Sequence, residues 1–410
     1  MKRPSVVRLS PVLILLGIAL LTCSCARHAP TAPDNALSAQ SAASSASASL
    51  SAHAARVTAG GTLEGDIGPG AHYVISVPET WNGDLVLYAH GYTAPIFPVG
   101  VPPGEEVLVE GMRTIASQGG FAFAYSNYSQ TGLGLKDAAL RTDQLANLFG
   151  SLVGKPRRTF LIGASFGGLV ALKLVETHPE RYAGLLTLCG MIGGVQPEVD
   201  YVSNVRALFD YFYPGVLPGN VLKLPANFDL QNDLVIPVAT AIQTNPVPAL
   251  EMSQVTQTPI PFSNGTQLVQ SIIQALVLQA VELQDLLNRT HGQSFFDNTR
   301  TVYTGNLPPE LLADLNAHVV RYSEGPAAAN LFEKEYGPSG DLRVPLVSLH
   351  TSLDPVVPIF HEDLYRSLVE AHGGTANLHQ TRVERYGHLN FTAEELVGGF
   401  GQMIAAAATP

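Results

Sequence analysis

"RTFLIGASFGGLVALK", residues 158–173, runs an apolar stretch into a serine flanked by glycines and then into a second apolar stretch. The first stretch predicts a buried strand over 159–163, and the second a helix over 167–178 that Pro179 stops. Ser165 therefore falls on the turn between them. A serine there can cap the helix, a common role, or it can be raised on a sharp turn with its hydroxyl exposed. The pentapeptide does not separate the two, because Gly-x-Ser-x-Gly arises by chance in roughly one chain in ten of this size. Its surroundings must decide.

Working outward, "HYVISVP" (72–78) alternates like a strand, and an Asn-Gly turn signal follows in "WNGD" (81–84). "LVLYAHG" (85–91) and "GFAFAYS" (120–126) read as buried strands. The segment 135–153 carries Leu140, Leu145, Leu148, Phe149 and Leu152 at helical spacing. Beyond the central stretch come strands at 183–189, 344–350 and 379–385, with helices around 361–372 and from Ala393. Apolar strands alternating with helices predict an α/β fold: a mostly parallel, doubly wound sheet covered by helices on both faces.

The alternation breaks over 191–341, which is rich in proline loops and holds a long helix candidate, "QLVQSIIQALVLQAVELQDLL" (267–287). Gln270, Gln274, Glu282 and Asp285 rule out a membrane span for it. This interval is expected to be a helical cap inserted over the sheet, dividing the core into 57–190 and 342–410.

Lys2, Arg3 and Arg8 precede a short apolar core, "VLILLGIALL" (12–21), and 1–25 reads as an export signal. "TCSC" (22–25) suggests lipoprotein processing with Cys23 or Cys25 carrying the lipid, and cleavage after Ala26 is the alternative. Residues 26–56, rich in Ala, Ser and Pro, form the expected disordered tether. The protein is thus expected to be exported, as an envelope lipoprotein tethered to a membrane or as a secreted or periplasmic form. Only Cys189 remains, inside "LLTLC", and it reads as a small buried hydrophobe. Of 410 residues 46% are hydrophobic and 14% charged, with a formal charge of −11, a balance that speaks against nucleic acid as a partner.

Three further strand ends carry chemistry. "HGYT" (90–93) offers a tight turn and the N–H of Tyr92; "TSLDPVVP" holds Asp354; "RYGHLNF" holds His388. Groups just beyond the carboxyl ends of parallel strands meet in one crevice. Taken with "GASFGG" and "THPERYAGLL", these phrases resemble the α/β-hydrolase superfamily from about residue 57 to 408. A looser similarity links "YVISVPETWNGDLVLYAHGY" to secreted bacterial esterases and peptidase-like hydrolases.

The resemblance implies a catalytic triad of Ser165, His388 and Asp354. The backbone N–H groups of Tyr92 and Phe166 would form the oxyanion hole, with no metal or organic cofactor. Glu198 and Asp200 are the rival acids, and His350, His361 and His178 the rival bases. His90 is expected to pack behind the oxyanion turn. The expected activity is hydrolysis of a carboxylic ester, on a small-molecule or oligomeric substrate. Peptidase, amidase or acyltransferase chemistry on the same triad, or a non-catalytic binding role, are the alternatives. The low charge of 191–341 offers little to hold a peptide terminus, and oligomeric state is left open.

Overall fold

The computed structural model describes residues 60–408; the expected export signal, the lipidation candidates Cys23 and Cys25, and the expected tether lie outside them. One eight-stranded sheet runs through the molecule: β1 (Gly61–Asp66), β2 (His72–Val77), β3 (Leu85–Ala89), β4 (Ala122–Ser126), β5 (Thr159–Ala164), β6 (Gly184–Leu188), β7 (Leu346–Leu353) and β8 (Leu378–Tyr386). Their spatial order is β1-β2-β4-β3-β5-β6-β7-β8. The pairs from β4 across to β8 are parallel, while β2 pairs antiparallel with both β1 and β4.

Helices cover both faces because successive strand side chains point to opposite sides. In β5, Phe160, Ile162 and Ala164 join a core with α1 (Glu106–Gln118) and the C-terminal helix, and Leu161 faces the other core. That second core is closed by α2 (Leu135–Leu152) and α3 (Phe166–Thr177). This is the α/β-hydrolase fold.

Between β6 and β7 the chain adds only helices and loops: α4 (Val195–Phe212), α5 (Ile236–Thr244), α6 (Val247–Ser253), α7 (Gly265–Arg289), α8 (Pro309–His318) and α9 (Pro326–Leu331). α10 (Phe360–His372) and α11 (Ala393–Ala406) follow. α7 is anchored toward both of its own ends. Tyr386 Oη donates to Gln267 O at 3.2 Å, and Tyr92 Oη to Val281 O at 3.5 Å. Asp285 further accepts the Leu133 N–H at 2.8 Å. Among the described residues no helix is long and apolar enough to cross a membrane.

Some sequence expectations differ from the structure. Leu140, on the expected apolar face of α2, is half exposed, while Leu145 and Phe149 are buried. β8 is not an apolar run: it is the sheet's edge and keeps a mixed, partly exposed surface. β1 has no apolar signature because it too is an edge, with alternate residues in solvent.

Candidate active site

The parallel strands end at one edge, and the residues that follow them build the site. Ser165 follows β5 with φ 55° and ψ −126°, a region that residues with a Cβ rarely occupy. Such a residue costs of order 1–3 kcal/mol and persists only where the surroundings over-determine it. Here its N–H donates to Leu188 O at 2.9 Å, and its C=O accepts from Gly168 and Met191 at 2.9 and 3.0 Å.

The flanking glycines are required by contact. A Cβ at Gly163 would lie 2.2 Å from Gly167 O, and one at Gly167 would lie 2.0 Å from Ala89 O. The side chain of Ser165 makes no capping bond to α3, so the helix-cap reading fails.

Asp354 follows β7 and is fully buried. One carboxylate oxygen accepts the N–H groups of Val356 and Val357 at 2.9 and 3.0 Å. The other accepts from His388 Nδ1 at 2.7 Å. Burial opposes its ionisation, but His388, the neighbouring His350 and the Val356 N–H together hold the carboxyl below its ordinary range.

His388 follows β8 through Gly387 and is partly exposed. Its turn is tied to β7 by Thr351 Oγ1 donating to Gly387 O at 2.7 Å and by Gly387 N–H donating to Leu353 O at 3.0 Å. With Nδ1–H committed to Asp354, Nε2 of the neutral ring carries the lone pair, the tautomer a general base requires.

The rivals are occupied elsewhere. Glu198 accepts from His361 Nε2 at 2.9 Å, and His361 Nδ1 accepts the Gly193 N–H at 3.1 Å. That fixes a neutral imidazole, and burial pushes it down to about 3. Asp200 binds Gln196, and His178 lies on the surface. His350 is fully buried, with Nδ1 2.9 Å from Glu362 Oε1, Nε2 2.8 Å from Val357 O, and Asp354 3.7 Å away. It faces acceptors on both sides and so has no lone pair to offer a serine.

Phe166 opens α3, where the first N–H groups have no intrahelical acceptor. Tyr92 lies one residue past Gly91, and a Cβ on Gly91 would stand 3.2 Å from Ser165 Cβ. The turn therefore passes directly against the serine. His90 stacks on Tyr128 with ring centroids 3.9 Å apart, and burial pushes it down to about 4. This is the packing role expected for it.

Cys189 is buried, as expected of a small hydrophobe, and burial pushes its thiol well up. Its sulfur, Asp354 and His388 offer atoms all within 4.8 Å of one another.

Sequence reasoning gave Glu105 and Glu282 no site role and named Glu198 only as a rival acid. Glu105 sits under the 90–93 turn, Glu282 on α7 is pushed up to about 8 by burial, and Glu198 is buried on α4. Glu282 and Glu198 each keep one oxygen without a partner. The interval 191–341 thus holds more ionisable groups at its core than its composition suggests. Only their contacts reveal them, since an acid in an amphipathic helix ordinarily marks the wet face.

No protein-family model and no curated protein matches the chain. Solved structures are similar at low identity. A bacterial membrane phospholipase A shares 12% identity at a TM-score of 0.39, covering 90% of this chain and 93% of that one. Est1E from Butyrivibrio proteoclasticus shares 12% at 0.41, covering 85% and 100%. An esterase from Pyrobaculum calidifontis shares 14% at 0.43, covering 89% of each.

Proposed function

We propose that the protein is a serine hydrolase that cleaves carboxylic esters through an acyl-enzyme. One observation carries the reading: a strained serine without a capping bond shares a sheet edge with a bonded His388–Asp354 pair. In this reading His388 Nε2 takes the Ser165 proton as Oγ attacks the ester carbonyl carbon. The N–H groups of Tyr92 and Phe166 receive the carbonyl oxygen as it becomes an oxyanion. His388 then returns the proton to the departing alcohol. A water, deprotonated by the same imidazole, attacks the acyl carbon and frees Ser165.

Asp354 keeps the imidazole in the productive tautomer and stabilises the imidazolium. The helical segment between β6 and β7 acts as a cap, with α7 over the crevice and its apolar face toward a small or medium acyl or aryl group. The triad needs no metal or organic cofactor. The basic, then apolar N-terminal segment 1–25 supports a reaction outside the cytoplasm, and lipidation at Cys23 or Cys25 would tether the protein to a membrane.

The test is hydrolysis of p-nitrophenyl esters of graded acyl length. The wild-type protein should turn over at least the short esters, and Ser165→Ala should not, with both circular dichroism spectra alike. A folded wild type that is inert across the series would favour a non-catalytic binding protein.

A further inference from the structure

Glu105, the residue before α1, is buried where a carboxyl is expensive to keep. Its two oxygens accept the Gly91 N–H, at 2.9 Å for Oε2 and 3.1 Å for Oε1. Tyr88 Oη donates to Oε1 at 2.8 Å. On the other side of Gly91, His90 Nδ1 donates to the Gly91 carbonyl at 2.8 Å.

Both peptide planes that meet at the Gly91 Cα are therefore held, one by each side chain. The Gly91 carbonyl and the Tyr92 N–H share a single trans peptide, so they point in opposite directions. Fixing the carbonyl aims the N–H. A Cβ at Gly91 would stand 2.6 Å from Glu105 Oε2 and 3.2 Å from Ser165 Cβ, so a side chain there would press on both the carboxyl and the serine.

We propose that Glu105 is a positioning residue for the oxyanion turn: it grips the Gly91 N–H while His90 holds the Gly91 carbonyl, and the two together keep the Tyr92 N–H aimed at the tetrahedral oxygen. The proposal rests on the hydrolase reading above, which first makes that N–H a donor. It also has an electrostatic side. Next to a developing oxyanion, a neutral carboxyl holds the turn without penalty, whereas a carboxylate repels the charge the hole must receive.

Burial pushes Glu105 up to about 8, against the bonds from Tyr88 and Gly91. The groups that face it are Tyr88 from β3, Tyr128 from the loop after β4, and Glu106, the next residue along. Both tyrosines are pushed above their ordinary range, so they do not titrate where Glu105 does. The sign follows: kcat is full while the carboxyl is protonated and declines as pH rises through about 8.

The experiment compares the whole mature protein with Glu105→Gln and Glu105→Ala, on a p-nitrophenyl ester across the neutral and alkaline range. Glu105→Ala should lower kcat about ten- to a hundredfold with little change in KM, less than loss of a whole oxyanion donor. Glu105→Gln, which keeps an acceptor for Gly91, should restore most of that rate and lack the alkaline decline. If Glu105→Ala does not fold, the Glu105→Gln profile decides alone, and an unchanged alkaline limb overturns the proposal.

The Gly91 amide resonance in glycine-labelled protein reads the grip without catalysis. It should titrate with a midpoint near 8 in wild type and stay flat in Glu105→Gln. A wild type that hydrolyses nothing would sink the hydrolase reading, and this resonance would still test the grip. A Gly91 amide that ignores both pH and the substitution would overturn it.

Discussion

Replacing Asp354 by Asn separates the acid's charge from its shape. The carbonyl oxygen of Asn can still accept the N–H groups of Val356 and Val357, now held by Oδ1 at 2.9 and 3.0 Å. The amide NH2 then faces His388 Nδ1, where Oδ2 now accepts at 2.7 Å. Two donors cannot share that contact, so the ring shifts its proton to Nε2 and loses the lone pair that serves Ser165. Enzymes with this arrangement lose about 10⁴-fold in kcat on the same exchange, or about 5 kcal/mol at about 1.4 kcal/mol per tenfold. We expect a loss of that order in Asp354→Asn, read from steady-state ester hydrolysis near neutral pH.

Stability should move by a separate route. The folded-state carboxyl is held below its ordinary range, so its stabilising share is present above the unfolded value of about 3.9 and disappears as pH falls through the folded value. Asp354→Asn should flatten that part of the acid-denaturation profile. A variant within tenfold of wild-type activity would refute the assignment and return the search for the acid to other groups.

Ser165→Gly should end activity and raise the melting temperature, because glycine occupies φ 55°, ψ −126° without the strain of order 1 kcal/mol or more that serine bears there. Gly167→Ala should destabilise by about 3 kcal/mol or more in urea unfolding, since its Cβ would meet the Ala89 carbonyl at 2.0 Å and backbone cannot yield cheaply. In proton–nitrogen NMR spectra, His90 and His361 should remain neutral from about pH 5 upward, since burial pushes them down to about 4 and 3. Cys189, mapped by mass spectrometry after a thiol reagent, should react only once the protein is unfolded, because its sulfur is buried and its thiol pushed up.

The candidate catalytic residues were legible because each follows a strand that the sequence predicts. Ser165, Asp354 and His388 all follow a predicted strand end, and a parallel sheet brings such ends to one edge. Gly163 and Gly167 stood out for the same reason: close backbone approach excludes every other residue at those positions.

What escaped the sequence is tertiary. Nothing in "PPGEEVL" tells which glutamate turns inward, and Glu105 acquires its meaning only from Gly91 and Tyr88, which come from another strand end. The His361–Glu198 pair spans 163 residues and shows no local pattern. β1 was missed because an edge strand buries too little to leave an apolar signature.

Covalent labelling by a fluorophosphonate asks whether Ser165 is an activated nucleophile. Intact mass should show one adduct on the native wild-type protein, and peptide mapping should place it on Ser165. The adduct should be absent from Ser165→Ala and from unfolded wild type. No adduct on a folded protein, or one on another serine with Ser165→Ala still active, would contradict the account.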